Sequence, residues 1–305
     1  MRILITGGTG FIGTTLVWRL AEMGHEVTVL SRRDQNTSGV PNKVDYVQGD
    51  PTREGAWQEA ASQADAAINL AGASIFQRWS NKTKKRIYDS RILTTRHLAK
   101  ALASANRPGR VLLNASAVGY YGFHGDEKIT EKDQPGNDFL ATVCRDWENE
   151  AIKAEKAGVR VCRMRFGVVL EAGGGALGQM MPLFKLGIGG RLGSGNQWFS
   201  WIHRADLIEA ALFLLNRDDA RGAFNFTSPN PVTNRDLTKE LAGVLHRPGV
   251  IPVPGFGMKM VYGEFADVLL KGQRVIPSRL LDMGFAFSFP HLQPALVNIV
   301  TNDET

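Results

Sequence analysis

The chain has very little cysteine. Two in 305 residues are too few for a disulfide framework. Cys144 and Cys162 also lack metal-ligand spacing, so the expectation is a reducing, cytoplasmic setting with no metal centre. No apolar run reaches membrane-spanning length. Met1-Arg2 leads straight into an apolar segment, which argues against a secretory leader. Internal repeats and low-complexity tracts are missing as well. The net charge of +6 raises the question of nucleic acid. The densest basic run, Lys82, Lys84, Lys85 and Arg86, sits in a helical pattern without base-stacking aromatics, so it reads as a solvated helix face. A phosphate-rich cofactor or an anionic small-molecule substrate uses the positive charge better than nucleic acid or a membrane.

What the chain does have is glycine where a strand turns into a helix. Ile3-Leu4-Ile5 reads as a short buried strand, and Leu16, Val17 and Leu20 recur at helix spacing. Between them lies Thr6-Gly7-Gly8-Thr9-Gly10-Phe11-Ile12-Gly13. Gly8, Gly10 and Gly13 form G-x-G-x-x-G: the first for the tight turn, the second for approach to a pyrophosphate, the third for close packing of helix on strand. The helix N-terminus then faces the phosphates with its N–H groups and positive dipole end. Glu26 to Leu30 reads as the second strand. Its tip, Ser31-Arg32-Arg33, carries a hydroxyl and guanidinium groups where an NAD binder carries an acid. That combination suits a 2′-phosphate and argues for NADP(H), with Asp34 as counter-evidence.

Strand and helix go on alternating. A third strand ends at Gly49-Asp50, and a fourth runs into Leu70-Ala71-Gly72. A long helix spans about Asn81 to Ala105, and a fifth strand ends at Ser116 before Gly119-Tyr120-Tyr121-Gly122. The sixth strand carries Arg163 and Arg165 on one face, either paired inside the fold or with Arg165 reaching the site. The class is α/β, a Rossmann-type doubly wound parallel sheet with a smaller C-terminal substrate or lid region. The boundary is placed at residues 245/246, giving a cofactor-binding part over 1–245 and a small part over 246–300. Residues 173 to 195 are glycine-rich and read as an irregular binding loop or lid. The tail, with Phe285, Phe287 and Phe289, reads as a small lobe over the cleft or a dimer surface.

These residues resemble the extended, sugar-nucleotide-epimerase-like branch of the short-chain dehydrogenase/reductase superfamily. Thr6-Gly7-x-x-Gly10-x-x-Gly13, Asn69-Leu70-Ala71-Gly72, Trp201-Ile202-His203-Arg204-Ala205-Asp206 and Asn225-Phe226-Thr227-Ser228 carry the likeness. The tail from Gly272 to Pro294 resembles the small C-terminal domain of one epimerase-like subfamily. The resemblance implies cofactor contacts from Gly7, Thr9, Gly10, Phe11, Ile12, Gly13, Ser31, Arg32, Asp50, Leu70, Ala71, Gly72, Arg91 and Arg165. Homodimerisation is a further possibility.

The superfamily works with Asn, Ser or Thr, and a Tyr-x-x-x-Lys pair, and here the pattern departs. By spacing, Arg91 fills the helical Asn position, Leu140 the Tyr position and Cys144 the Lys position; Phe139 is the alternative for the tyrosine. Neither Leu nor Phe transfers a proton. Cys144 reads as a small buried helix residue rather than a nucleophile. Ser116 remains at its expected place, and Tyr120, Tyr121 or His124 are the candidate acid/base groups. Two readings stay open: an NADP(H)-dependent oxidoreductase or epimerase-like enzyme, or an NADP(H)-binding regulatory protein without turnover.

Overall fold

The computed structural model describes residues 1–33, 41–105 and 107–303; Asp34, weighed above against the arginines, lies outside them. Seven strands build the central sheet: β1 (Arg2–Thr6), β2 (Glu26–Ser31), β3 (Val44–Gln48), β4 (Ala66–Asn69), β5 (Val111–Ala117), β6 (Arg160–Phe166) and β7 (Gly222–Phe226). Their order is β3-β2-β1-β4-β5-β6-β7, and every neighbouring pair is parallel. The order reverses between β1 and β4, which opens a crevice at the carboxyl ends of those strands.

The strands are buried on both faces, as parallel strands must be. In β1, Ile3 and Ile5 enter one core, and Leu4 enters the other. The first core lies under α1 (Gly13–Glu22) and α6 (Arg204–Leu215). The second lies under α2 (Trp57–Gln63) and α3 (Asn81–Ser104). Helix α3 starts where Ser80 accepts the Thr83 N–H, and α4 (Phe139–Ile152) where Asp138 accepts that of Ala141.

The glycine-rich stretch 173–195, expected as a loop, contains an eleven-residue helix, α5 (Gly175–Lys185). Glycine count misleads here because packing overrides propensity. Leu177, Met181 and Phe184 fall on one buried face and join α7 (Asn234–Val244) and the terminal helix Leu292–Asp303 in a third core. The tail packs back onto the body at several points. Arg274–Val275 pairs in parallel with Lys128–Ile129, Phe285 enters the first core, and Leu292, Leu296 and Ile299 enter the third.

Candidate functional site

The turn after β1 is built from close approaches that only glycine tolerates. Gly7 has φ +73°, and a Cβ there would stand 2.8 Å from the Leu70 carbonyl carbon. A Cβ on Gly13 would stand 2.2 Å from the Gly7 carbonyl oxygen, so α1 leaves the turn in contact with it. The roles assigned from G-x-G-x-x-G therefore shift by one at the first position. Gly7 makes the turn, and Gly8 instead packs on Val29, 2.8 Å from where its Cβ would be. A Cβ on Gly10 would meet only the Gly7 carbonyl oxygen, at 3.2 Å, so the loop tip is open. Thr9 and Gly10 are exposed, Phe11 and Ile12 half-buried. Ile12 caps α1 and has no side-chain acceptor for the first-turn N–H groups. These observations fit a pyrophosphate lying across the helix N-terminus.

At the end of β2, Ser31 is buried and its Oγ donates to the Arg33 carbonyl, 2.8 Å away. Arg32 is exposed beside it. Asp50, at the end of β3, accepts from the Thr52 N–H at 3.0 Å and the Thr52 hydroxyl at 2.7 Å. Burial works to raise its pKa, but Thr52, Arg53 and Arg32 outweigh it and hold the carboxyl below its ordinary value. Asp50 thus closes a local turn with one oxygen and faces Arg32 electrostatically.

Leu70, Ala71 and Gly72 leave β4 at the same edge, with Gly72 exposed. Arg91, on α3, reaches under them. Its Nη1 donates to the Ala73 carbonyl at 3.0 Å and to the Ile87 carbonyl at 3.1 Å, and a Cβ on Gly72 would stand 3.0 Å from its Cζ. The guanidinium also lies 5.2 Å over the Trp147 ring. Burial pulls its pKa below the ordinary arginine value. A cation is therefore held between the β4 exit and the helix that carries Cys144. Cys144 itself is buried, and burial and then Glu148 push its thiol up to about 12, so it is inert as a nucleophile.

The structure brings Ser116, Tyr121 and Arg165 together, but around a buried carboxylate rather than around an open cleft. Glu148 on α4 accepts from the Ser116 hydroxyl at 2.7 Å and from Arg165 Nε and Nη2 at 2.8 Å each. Arg163 Nη1 adds a contact at 3.2 Å. Arg165 Nη1 donates to the Tyr121 hydroxyl at 2.9 Å, and that hydroxyl donates to Asn225 Oδ1 at 2.6 Å. Ser116, Glu148, Arg165 and Tyr121 are all buried. Burial first of all raises the Tyr121 phenol well above its ordinary value. Arg165 is held charged by Glu148 and Tyr121 against the cost of its burial. Of the alternatives left by the sequence, Arg163 and Arg165 pair inside the fold. Tyr120 is half-buried, with the Arg165 guanidinium 3.5 Å over its ring. His124 binds Glu127 at 2.8 Å and the Tyr121 carbonyl at 2.9 Å on the surface side of that turn.

Two further contacts tie the site to the rest of the chain. The Phe11 ring lies against Gly174, 2.7 Å from where a Cβ would be, so the turn into α5 rests on the cofactor loop. His203 and Asp206 hold the tail. Asp206 accepts from the Ser288 and Phe289 N–H groups at 2.7 and 2.9 Å, and the His203 ring stacks on Phe289 at 4.0 Å.

A doubly wound parallel sheet with this glycine turn and an epimerase-type late Trp-Ile-His segment defines an extended short-chain dehydrogenase/reductase. The chain belongs to the NAD dependent epimerase/dehydratase family, whose model matches residues 3–226; residues 253–299 match a domain of unknown function, DUF1731. It is 41% identical over 298 residues to the "Epimerase family protein SDR39U1 homolog, chloroplastic" of Arabidopsis thaliana, covering 97% of this chain and 86% of the relative. It is 38% identical over 301 residues to the Staphylococcus aureus "Epimerase family protein SAR0825", covering 98% of each. The crystal structure of the human epimerase family protein SDR39U1 (isoform2) with NADPH superposes with a TM-score of 0.88 at 36% identity, over 99% of this chain and 100% of that one. The Thermus thermophilus UDP-glucose 4-epimerase in complex with NAD, 20% identical with a TM-score of 0.80 over 100% and 99% of the two chains, shares the fold. No helix of the described residues is long and apolar enough to cross a membrane.

Sequence reasoning missed Glu148, Asn225 and Asn69 as parts of one polar interior. Asn69 donates to Thr95 and to Asn114 at 2.7 Å each, and Trp147 Nε1 donates to Thr95 at 2.7 Å. For Asn69 and Asn225 the available signal was a polar residue on a strand otherwise apolar, since a buried polar group requires a partner; Glu148, on α4, carried no such signal.

Proposed function

We propose that this protein binds NADP(H) in preference to NAD(H) and acts as an oxidoreductase or epimerase-like enzyme on a small polar or nucleotide-bearing substrate in the cytoplasm. The observation that carries the cofactor preference is the end of β2, where a buried Ser31 precedes an exposed Arg32 at the strand tip, which in a doubly wound dinucleotide binder faces the ribose 2′ substituent. The relative solved with NADPH supports it. Gly7, Thr9, Gly10, Phe11, Ile12 and Gly13 would hold the pyrophosphate. Leu70, Ala71 and Gly72 would line the cofactor edge, with Asp50 beside the adenosine end. Arg91 would stand in for the cation that Cys144 cannot supply. The bound nicotinamide supplies or accepts hydride. Proton transfer is left to Ser116, Tyr120 or Tyr121.

A second reading, NADP(H) binding without turnover, is favoured by one observation. By spacing, the Tyr position falls on Leu140 or Phe139 and the Lys position on Cys144, and the Ser116 and Tyr121 hydroxyls are committed to Glu148, Arg165 and Asn225. Calorimetry with NADPH and NADH tests the cofactor assignment. Arg32→Asp is expected to lose about 1.5–3 kcal/mol of NADPH affinity, the worth of a charge-assisted hydrogen bond, and to leave NADH binding nearly unchanged. Equal affinity for the two cofactors in the wild type discards the assignment. A metabolite screen following NADPH oxidation, with mass spectrometry for redox-neutral epimerisation, separates the readings. Turnover by the wild type selects the enzyme, and a fall in Ser116→Ala, Tyr120→Phe or Tyr121→Phe beyond any loss of stability assigns that hydroxyl to the chemistry. Tight NADPH binding with no turnover across broad panels selects the regulator.

A further inference from the structure

Away from the glycine turn, over β6 and β7, a cleft of about 340 Å³ opens between the loop at residues 131–134 and Arg279. Its walls include Tyr120, one of the candidate proton-transfer groups, with Lys132, Arg163, Arg165, Gly222 and Arg279. Gly222 has φ +87°, and a Cβ there would stand 3.1 Å from Arg279 Nη1 and 3.5 Å from Arg163 Nη2. Two guanidinium groups converge on one glycine, and like charges this close repel unless an anion lies between them.

The acids nearby neutralise them only in part. Arg163 reaches Glu148 only as a third cation, at 3.2 Å, behind Ser116 and the two-pronged Arg165 contact. Its Nε is buried and has no hydrogen-bond partner among the described residues. Arg279 Nη1 donates to the Ala223 carbonyl at 2.6 Å, and its guanidinium lies 4.0 Å over the Phe224 ring. Among the described residues no carboxylate comes within ion-pair distance of that guanidinium. Glu131 and Asp133 also line the cleft, and Glu131 faces Arg279 electrostatically, but the oxygens of both are engaged by nearby N–H and hydroxyl donors. Glu131 Oε1 accepts from the Asn225 N–H at 3.0 Å and the Arg279 N–H at 3.3 Å. Asp133 accepts from the Thr130 N–H at 2.7 Å and the Thr130 hydroxyl at 3.0 Å.

We propose that this cleft is a second ligand site, binding a small oxyanion, free phosphate or a phosphate monoester, between Arg163 and Arg279 with Lys132 at its mouth. Guanidinium forks match the oxygen spacing of phosphate, and the cleft beside Gly222, of about 340 Å³, has room for a tetrahedral group. The site is separate from the cofactor turn, so its ligand and NADPH bind together.

The test is calorimetric titration of the full-length protein with inorganic phosphate and with glycerol 3-phosphate, each with and without saturating NADPH. Phosphate binding that NADPH abolishes belongs to the glycine turn; binding that persists belongs to the cleft. The expected result is one persisting site, weakened at least tenfold in Arg279→Gln and Arg163→Gln, as loss of a charge-assisted hydrogen bond implies. Lys132 and Gln134 are exposed, so Lys132→Glu and Gln134→Glu preserve the fold and are expected to weaken the same site several-fold by repulsion. Tighter binding of glycerol 3-phosphate than of phosphate assigns the ligand to the esters, and the reverse order to the free ion. No persisting site, or equal affinity in Arg279→Gln and Lys132→Glu, overturns the proposal. The outcome is independent of cofactor preference, because a chain that fails to bind NADPH still shows or lacks the Arg279-dependent site.

Discussion

The β1–β2 edge and the β5–α4–β6 edge sit along one sheet and solve opposite problems. The first leaves polar groups unspent. Gly10 has an open face, Ile12 offers α1 no side-chain cap, and Arg32 is exposed. The second spends most of them. Ser116, Glu148, Arg165, Tyr121 and Asn225 satisfy one another in the interior. On α4, Leu140 has no ionisable group and burial pushes the Cys144 thiol up to about 12, and the polar groups of the same quarter hold the strands to the helix. The open edge and the closed edge are thus separate parts of one sheet.

The largest effect is expected where the closed quarter loses the anion that Ser116, Arg163 and Arg165 share. Glu148→Ala leaves Arg165 buried without a counter-charge and Ser116 without an acceptor. Breaking a buried pair in this way costs about 3–5 kcal/mol, read as a lower urea midpoint at pH 7. The same variant, where folded, is expected to bind NADPH as the wild type does. A loss below about 1 kcal/mol breaks the comparison, because the cluster would then not hold the quarter together.

The joint with the tail gives the next effect. His203 is 4% exposed, its Nδ1 accepts the Ala205 N–H at 3.1 Å, and burial above all lowers its pKa to about 4. Below an unfolded value of about 6.5, the unfolded chain takes a proton that the folded chain refuses until about pH 4. The unfolded state binds more protons across that window, so stability rises with pH there and is lost as pH falls from 6.5 to 4. The loss approaches about 3 kcal/mol. His203→Asn keeps a side-chain acceptor and removes the titration, so its stability is expected to change less between pH 7 and pH 5. Parallel slopes for the two proteins would reject the assignment.

The open quarter was the legible one. Three glycines between an apolar strand and a helical pattern say where backbone must come close, because only the absence of Cβ allows it. The misplacement of the turn onto Gly8 arose because spacing alone fits two overlapping glycine frames, and φ decides between them. The closed quarter was not legible. Glu148 is far in sequence from Ser116, and only the pairing of β5 with β6 under α4 brings Ser116 level with Arg165. Helix α5 hid for a related reason. Gly175 and Gly178 argue against a helix locally, and the packing of Leu177, Met181 and Phe184 against α7 outweighs them. The role of His203 and Asp206 was equally non-local, since their partners Ser288 and Phe289 lie more than 80 residues on.

A third measurement probes the open quarter in the same terms. Gly13→Ala puts a methyl 2.2 Å from the Gly7 carbonyl oxygen and 2.7 Å from the Gly8 Cα, both backbone atoms. Overpacking of this kind costs about 1–3 kcal/mol. The turn and the start of α1 must move apart, so NADPH affinity is expected to fall about tenfold or more by calorimetry, with the acid sensitivity set by His203 unchanged. An unaltered affinity would mean that the turn yields without disturbing the phosphate site.

The smallest effect separates two neighbouring hydroxyls. Tyr121 is buried and its phenol bridges Arg165 and Asn225. Tyr121→Phe leaves Asn225 Oδ1 without its donor and Arg165 Nη1 without an acceptor, at about 1–3 kcal/mol of stability. Tyr120 stands edge-on to Tyr121, 5.3 Å between centroids, and offers its ring face to Arg165. No hydrogen bond of its hydroxyl holds the fold among the described residues. Tyr120→Phe keeps the ring, and with it the cation–π contact, so stability is expected to change by less than about 0.5 kcal/mol. Turnover measured on the two variants then has an unambiguous reading. A fall in Tyr121→Phe that tracks its lost stability, with Tyr120→Phe matching the wild type, assigns both tyrosines to structure and leaves the α4 edge without a protein acid. A fall in Tyr120→Phe at unchanged stability and unchanged NADPH affinity assigns that hydroxyl to the chemistry. It would then be the one group of the closed quarter that is not spent on holding the fold.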